Sequence, residues 1–402
     1  MPDGDSPYPY KLRQRRGDSA RGPFVVPPDG FIKNMYERAV SATAAPFVGI
    51  TTDGKVVPNL FRHKEGPSLK PVVDAADAFV ASLEPGQKRA MMFDLEADRW
   101  RTWSNIHIYM FRDGACLADL SDEQRQRALA LVRASMSASG YELARDVMKL
   151  NEHVNEITGK LGAYGEWYYW ISIFGTPSPD KPWGWQIDGH HLIINCFVVG
   201  DRIVLTPNFM GSEPVEAKFG KYTGISILKA EESQGLGLMK SFSPEQRKQA
   251  TIGMELPFDV FATAFRDNMV MKHEGLRHDE LDKGQQALLV ELIKTYVHRM
   301  PHGHAEIRLD EVLDHLRDTR FAWIGPCDDK AAFYYRIHSP TILIEFDHQA
   351  GIVFENDHHT RDHIHTLVRT PNGGDYGKDL LRQHYLQHDH SHPHTPHRMG
   401  KV

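Results

Sequence analysis

The feature that most narrows the folds open to this 402-residue chain is a strand-like run with no polar side. Past its two leading histidines, residues 190–198 of PWGWQIDGHHLIINCFVV are apolar at both parities. A strand of that kind must be covered on both faces, so it belongs inside a sheet and not at a wet surface. Its neighbours WYYWISIF and RIVLTPNF complete a strand block over 167–208, in which Gly200-Asp201 is a two-residue hairpin signal. A second block reads FYYRI (333–337), TILIEF (341–346) and HIHTLVR (363–369), the first two joined across Ser339-Pro340. Apolar residues recur every three to four positions over 72–100, 121–158 and 285–299, and a last helix is predicted around Gly377 to Tyr385. The fold class is α+β: a largely antiparallel sheet, or two, packed by helices within a single domain over 31–387.

The two ends read differently. Residues 1–30 carry six prolines and a basic cluster without apolar periodicity, which predicts a flexible arm; residues 388–402 alternate histidine with small polar residues, which predicts a disordered tail. Four short segments resemble one another: LEPGQ (83–87), LSDEQ (120–124), FSPEQ (242–246) and LDKGQ (281–285). An apolar residue, a capping residue and a glutamine three positions on form the staple and capping box of a helix start. The recurrence is also compatible with an internal duplication.

Charge and composition remove several function classes. Fifty-three acidic against 47 basic residues leave −6, which argues against nucleic acid or an anionic membrane as partner. No run of 18 apolar residues exists, and Arg15-Arg16 is not followed by the apolar segment that export requires. Three cysteines, Cys116, Cys196 and Cys327, form no C-x-x-C pair, so a cytoplasmic location is expected and nothing sets an oligomeric state. Phosphate-binding glycine loops and the G-x-S-x-G elbow are absent, so nucleotide chemistry and serine hydrolysis lose their support.

Histidine is the exception, with 23 residues, twelve of them from His338 onward. In TILIEFD, Glu345 and Asp347 share the odd face of a strand, and in HIHTLVR so do His363, His365 and Arg369. Paired strands would bring imidazoles and carboxylates onto one surface, a donor set for Zn, Fe or Cu. Upstream, Asp188 and His190 share parity at the entrance to the buried run. The expected site is therefore a divalent ion on His190, His363, His365 and Glu345, with Asp188 or Asp347 as proton acceptor. Arg336 and Arg369 are expected to hold an anionic group of a small-molecule substrate, with Trp185 and Tyr335 lining its pocket. Three functions fit: a metal-dependent hydrolase of a small polar or anionic molecule, an iron or copper oxygenase on the same ligands, or a non-catalytic ligand-binding protein.

Several stretches quoted above, with PFVGITTDG (46–54), YYRIHSPTILIEFD (334–347) and DYGKDLLRQHY (375–385), resemble the uncharacterised domain-of-unknown-function family numbered 3500. The resemblance spans roughly Pro46 to Tyr385, and the insert HQAGIVFENDHHTRD (348–362) departs from it. It implies no activity, so the chemistry rests on the residues.

Overall fold

The computed structural model describes residues 7–13, 20, 22, 24–159 and 162–387. Helices α1 (Phe31–Ala44), α2 (Lys70–Ala81) and α3 (Pro85–Met91) lead into strands β1 (Met92–Phe93) and β2 (Ala115–Cys116) and helices α4 (Asp122–Ala134) and α5 (Ala138–Thr158). Strands β3 (Tyr169–Phe174), β4 (Trp183–Gly189), β5 (Leu192–Val199), β6 (Arg202–Val204) and β7 (Asn208–Ser212) follow. The order then repeats: α6 (Lys229–Ser241), α7 (Pro244–Ala250), β8 (Thr251–Gly253), β9 (Leu276–Arg277), α8 (Lys283–Val297) and α9 (His304–Leu313). Strands β10 (Arg320–Ile324), β11 (Tyr334–His338), β12 (Leu343–Ala350) and β13 (His359–Arg369) and helix α10 (Lys378–Gln387) close the chain.

Both strand blocks lie in one 13-stranded sheet, ordered β1-β3-β4-β5-β7-β13-β12-β11-β10-β8, with β2 on β3, β6 on β5 and β9 on β10. The order is symmetric about the β7·β13 seam, where Ile364 to Val368 run antiparallel to Asn208 to Ser212. Among the described strand pairs of the sheet, only β1·β3 and β8·β10 are parallel, and they occupy equivalent places. The four capping boxes sit at the starts of α3, α4, α7 and α8 and lock in pairs. The Gln124 amide donates to Ser82 O and Gln87 Oε1, both at 2.9 Å; the Gln285 amide donates to Ser241 O and Gln246 Oε1, also at 2.9 Å. Gly114 and Gly275 hold matching positive φ angles, where an added Cβ would lie 2.6 Å from Ile171 O and 2.2 Å from Phe321 O. These coincidences of topology, capping and backbone establish an internal duplication.

The sheet separates two cores. Along β5, Leu192, Ile194, Cys196 and Val198 face the helices, whereas Ile193, Phe197 and Val199 face a second core under the segments around Trp100, Trp103 and Val260 and helix α10. The doubly apolar run is thus covered as its composition requires. The same parity turns Ile344, Phe346, Ile364 and Val368 toward the helices. Their neighbours Glu345, Asp347, His363, His365 and Arg369 face the loop layer, where all five are buried. Of the helical stretches read from the sequence, 72–100 ends early, at Met91, and 121–158 is broken by Ser137, which caps α5 through Gly140 N.

The N-terminal arm departs from the flexible expectation where it is described. Tyr8 is buried and its hydroxyl meets His153 Nε2 at 2.7 Å and Glu216 O at 2.6 Å. Arg13 N donates to Val353 O and Glu355 N donates to Lys11 O, so the arm pairs with the 348–362 insert. A single buried aromatic supplies the apolar area that average composition hides. The tail 388–402 lies outside the described residues. Replacing Tyr8 with Ala is expected to lower stability by about 2–4 kcal/mol, read from urea unfolding; an unchanged midpoint would return the arm to a free segment.

Candidate metal centre

Three imidazoles meet where the two halves of the sheet join. His363 and His365 stand two apart on β13 with their rings on the loop side, and His191 ends the two-residue turn between β4 and β5. His363 Nε2 lies 3.2 Å from His191 Nε2 and 3.1 Å from His365 Nε2. All three residues are buried. His191 holds a left-handed backbone at φ 62°, which costs a non-glycine residue about 1–2 kcal/mol. It is kept there by its amide on Asn105 O at 3.1 Å and its carbonyl on Gly211 N at 2.9 Å.

The outer nitrogens decide what the inner ones carry. His363 Nδ1 is 2.8 Å from Ala350 O, a group that only accepts, and His365 Nδ1 is 2.8 Å from the Asp259 carboxylate. Both Nδ1 atoms therefore bear the proton in the neutral ring, and both Nε2 atoms present lone pairs. Burial, then the adjoining imidazoles, hold His190, His191 and His363 well below the usual histidine range, against any charged form. Two lone pairs aimed at each other across 3.1 Å make no hydrogen bond. They are, however, the spacing that a shared cation produces, since bonds of 2.0–2.1 Å at a tetrahedral angle separate nitrogens by about 3.3 Å. Ala350 O and Asp259 supply the outer contacts that fix ligand tautomers.

Of the four ligands expected from the sequence, the structure brings His363 and His365 together and places the other two elsewhere. His190 stacks on His191 at 4.0 Å between centroids, with its Nδ1 on Asn151 Oδ1 at 2.8 Å, so its neighbour is the third ring of the cluster. Parity from Asp188 fails there because the chain turns at His190 and His191. Glu345 accepts from Phe261 N (2.7 Å), Ala262 N (2.8 Å) and the Tyr334 hydroxyl (2.7 Å). That carboxylate fastens the segment that delivers Asp259 to His365. The two expected proton acceptors differ in position. Asp347 lies opposite His365, with Oδ1 4.0 Å from its Nδ1; burial and the charges of Asp259 and Glu345 push its carboxyl well above the ordinary range. Asp188 is buried near Arg99 and Ser104, and burial raises it to about 7.

The expected substrate contacts are structural. Arg369 binds Asp267 at 2.8 Å, Asp375 at 3.1 Å and Ala262 O at 2.8 Å, and Arg336 binds Glu274 at 2.8 Å. Trp185 and Tyr335 lie in the helix-side core, bonded to Ser135 Oγ and to Tyr296 OH and Glu231 O. Residues that sequence reasoning missed include His191, Asp259 and Glu213, whose buried carboxylate accepts from Ile352, Val353 and Phe354 amides and shapes the insert beside His363. His191 had a signal in the two-residue turn; Asp259, some hundred residues from His365, had none.

The cluster opens into a cavity of about 310 Å³, walled by Phe31, Ile32 and Met35 of α1, by Ile106 and Ile108, and by Phe258. Helix α1 is held over it by Arg101, whose guanidinium donates to Ala42 O, Thr43 O and Ala45 O and pairs with Asp267. Opposite His365, on β7, an added Cβ at Gly211 would lie 2.9 Å from its ring and 2.5 Å from Ile364 O. Gly211→Ala should therefore cost about 1–3 kcal/mol of stability and displace His365; unfolding curves and a histidine NMR spectrum matching those of the parent would contradict this role.

Comparison with known proteins places the chain without adding an activity. No curated protein and no solved structure matches it. A family model matches residues 65–378, a span that holds the whole sheet and all three histidines of the cluster but leaves α1 outside. The chain belongs to the family described as protein of unknown function (DUF3500).

Proposed function

We propose that the protein is a metal-dependent enzyme, a hydrolase of a small molecule, whose divalent ion is held by His191, His363 and His365. The observation that carries this reading is the approach of His363 and His365 Nε2 to 3.1 Å while each Nδ1 donates outward. Three protein ligands facing a cavity, rather than four closing a shell, is the pattern of a catalytic site. A zinc-type ion there supplies Lewis-acid activation of water near neutral pH.

The chain's own groups then divide the work. Asn151 donates its amide to Gly165 O, so its Oδ1 accepts the His190 Nδ1 proton and leaves the lone pair of His190 Nε2 at the cavity wall as a neutral hydrogen-bond acceptor that can orient a bound water. Asp259 accepts from His365 Nδ1 and from the Thr263 hydroxyl at 2.9 Å, which keeps it oriented. The apolar walls lower the polarity beside the cluster, which strengthens charge interactions there. With Arg336 and Arg369 committed elsewhere, the cavity suits a less polar substrate than the sequence suggested. No helix among the described residues is long and apolar enough to cross a membrane, and a cytoplasmic location agrees with three cysteines that form no disulfide.

A chain ending at Gln387, freed of the terminal histidines, should retain one zinc per molecule by elemental analysis. His191→Ala and His363→Ala should lose it, with zinc-dependent cleavage of 4-nitrophenyl acetate. His190→Ala should keep the metal and lower the rate, through loss of the acceptor that orients water. Iron or copper with oxygen consumption would favour the oxygenase, and a metal-free protein with unchanged properties would leave only ligand binding.

A further inference from the structure

Beyond the inner cavity lies a second chamber of about 430 Å³, and the two share Phe31, Met35, Asn105, Ile106, Phe258 and Asp259 as walls. They are therefore one continuous space with unlike ends. The inner end holds the imidazoles between apolar walls, and the outer end is flanked by Arg38 from α1 and Arg266 from the loop opposite. On α1, Phe31, Met35 and Arg38 follow spacing i, i+4, i+7, so one helix face presents two apolar side chains and then a cation along the same space. Both arginines are exposed, and neither is ion-paired with a described residue. Arg266 gives one hydrogen bond, to Phe261 O at 3.0 Å, which leaves the rest of its guanidinium available.

We infer that this space takes a small amphiphilic acid: an apolar body along Phe31, Met35, Ile106 and Phe258, and a carboxylate or sulfonate between Arg38 and Arg266. The inference deepens the enzymatic reading, in which the end of the ligand remote from the acid lies at the histidines. The seven helical steps from Phe31 to Arg38 span about 10 Å, which sets the length of the body. Charge supports the polarity, because two guanidiniums with no ion-pair partner among the described residues line one chamber of a chain whose net charge is −6. Helix α1 lies outside the matched residues 65–378, whereas Ile106, Phe258 and Arg266 lie within them.

The test is calorimetric titration of the full chain, stripped of metal with EDTA, with 6-phenylhexanoate and with 6-phenylhexan-1-ol. The acid should bind at least about tenfold more tightly than the alcohol, the scale of a charge-assisted pair. In R38Q/R266Q that preference should vanish while the alcohol binds as before; because both side chains are exposed, the variant keeps its fold. Phe258→Asp should weaken both ligands. Equal binding of acid and alcohol, an acid preference that survives R38Q/R266Q, or no binding of either would overturn the inference. Because the measurement uses metal-free protein, its failure is separate from failure of the metal centre, which elemental analysis reads.

Discussion

Everything in this molecule hangs on the antiparallel pairing of β7 with β13. That seam joins the two halves of the sheet through five residue pairs, from Ile364 opposite Ser212 to Val368 opposite Asn208. It also brings a turn of the first half against a strand of the second. Gly211 on β7 donates its amide to His191 O and, lacking a side chain, leaves the space that the His365 ring fills. A site shared between halves forms only when the long-range pairing is complete, so folding and assembly of the cluster are one event.

The duplication explains the scaffold, and its breakdown explains the chemistry. Val204 stands opposite Phe197 as His365 stands opposite Asp347, and the turn after β11 carries Ser339, Pro340 and Thr341 where the turn after β4 carries two histidines. One of these pairs is polar and the other apolar. The polar copy lies under a layer of loops, where each charge needs a partner. Glu345 on backbone amides, Arg369 on two aspartates and Glu213 on the insert are those partnerships.

Those partnerships also mark where sequence reasoning stopped. Period-two alternation placed Glu345, Asp347, His363, His365 and Arg369 on one face, because parity survives any choice of neighbours. What covers that face is not periodic. A carboxylate beside a histidine strand reads as a ligand until the amides of Phe261 and Ala262 are seen to occupy it. An arginine reads as a substrate clamp until Asp267 and Asp375 close on it. His191 replaced His190 because a turn resets parity, and Asp259 was silent because it comes from a loop joined to the site only by tertiary contact. Four capping boxes hinted at the duplication, but their mutual glutamine bonds are visible only in three dimensions.

The proposed metal centre requires one cation to relieve the opposed lone pairs of the histidine cluster. An anomalous difference map from crystals, measured at the zinc absorption edge, tests it most directly. A single strong peak is expected about 2.0–2.1 Å from Nε2 of His191, His363 and His365. A map with no peak among these three nitrogens, or with metal only on the terminal histidines, would contradict it.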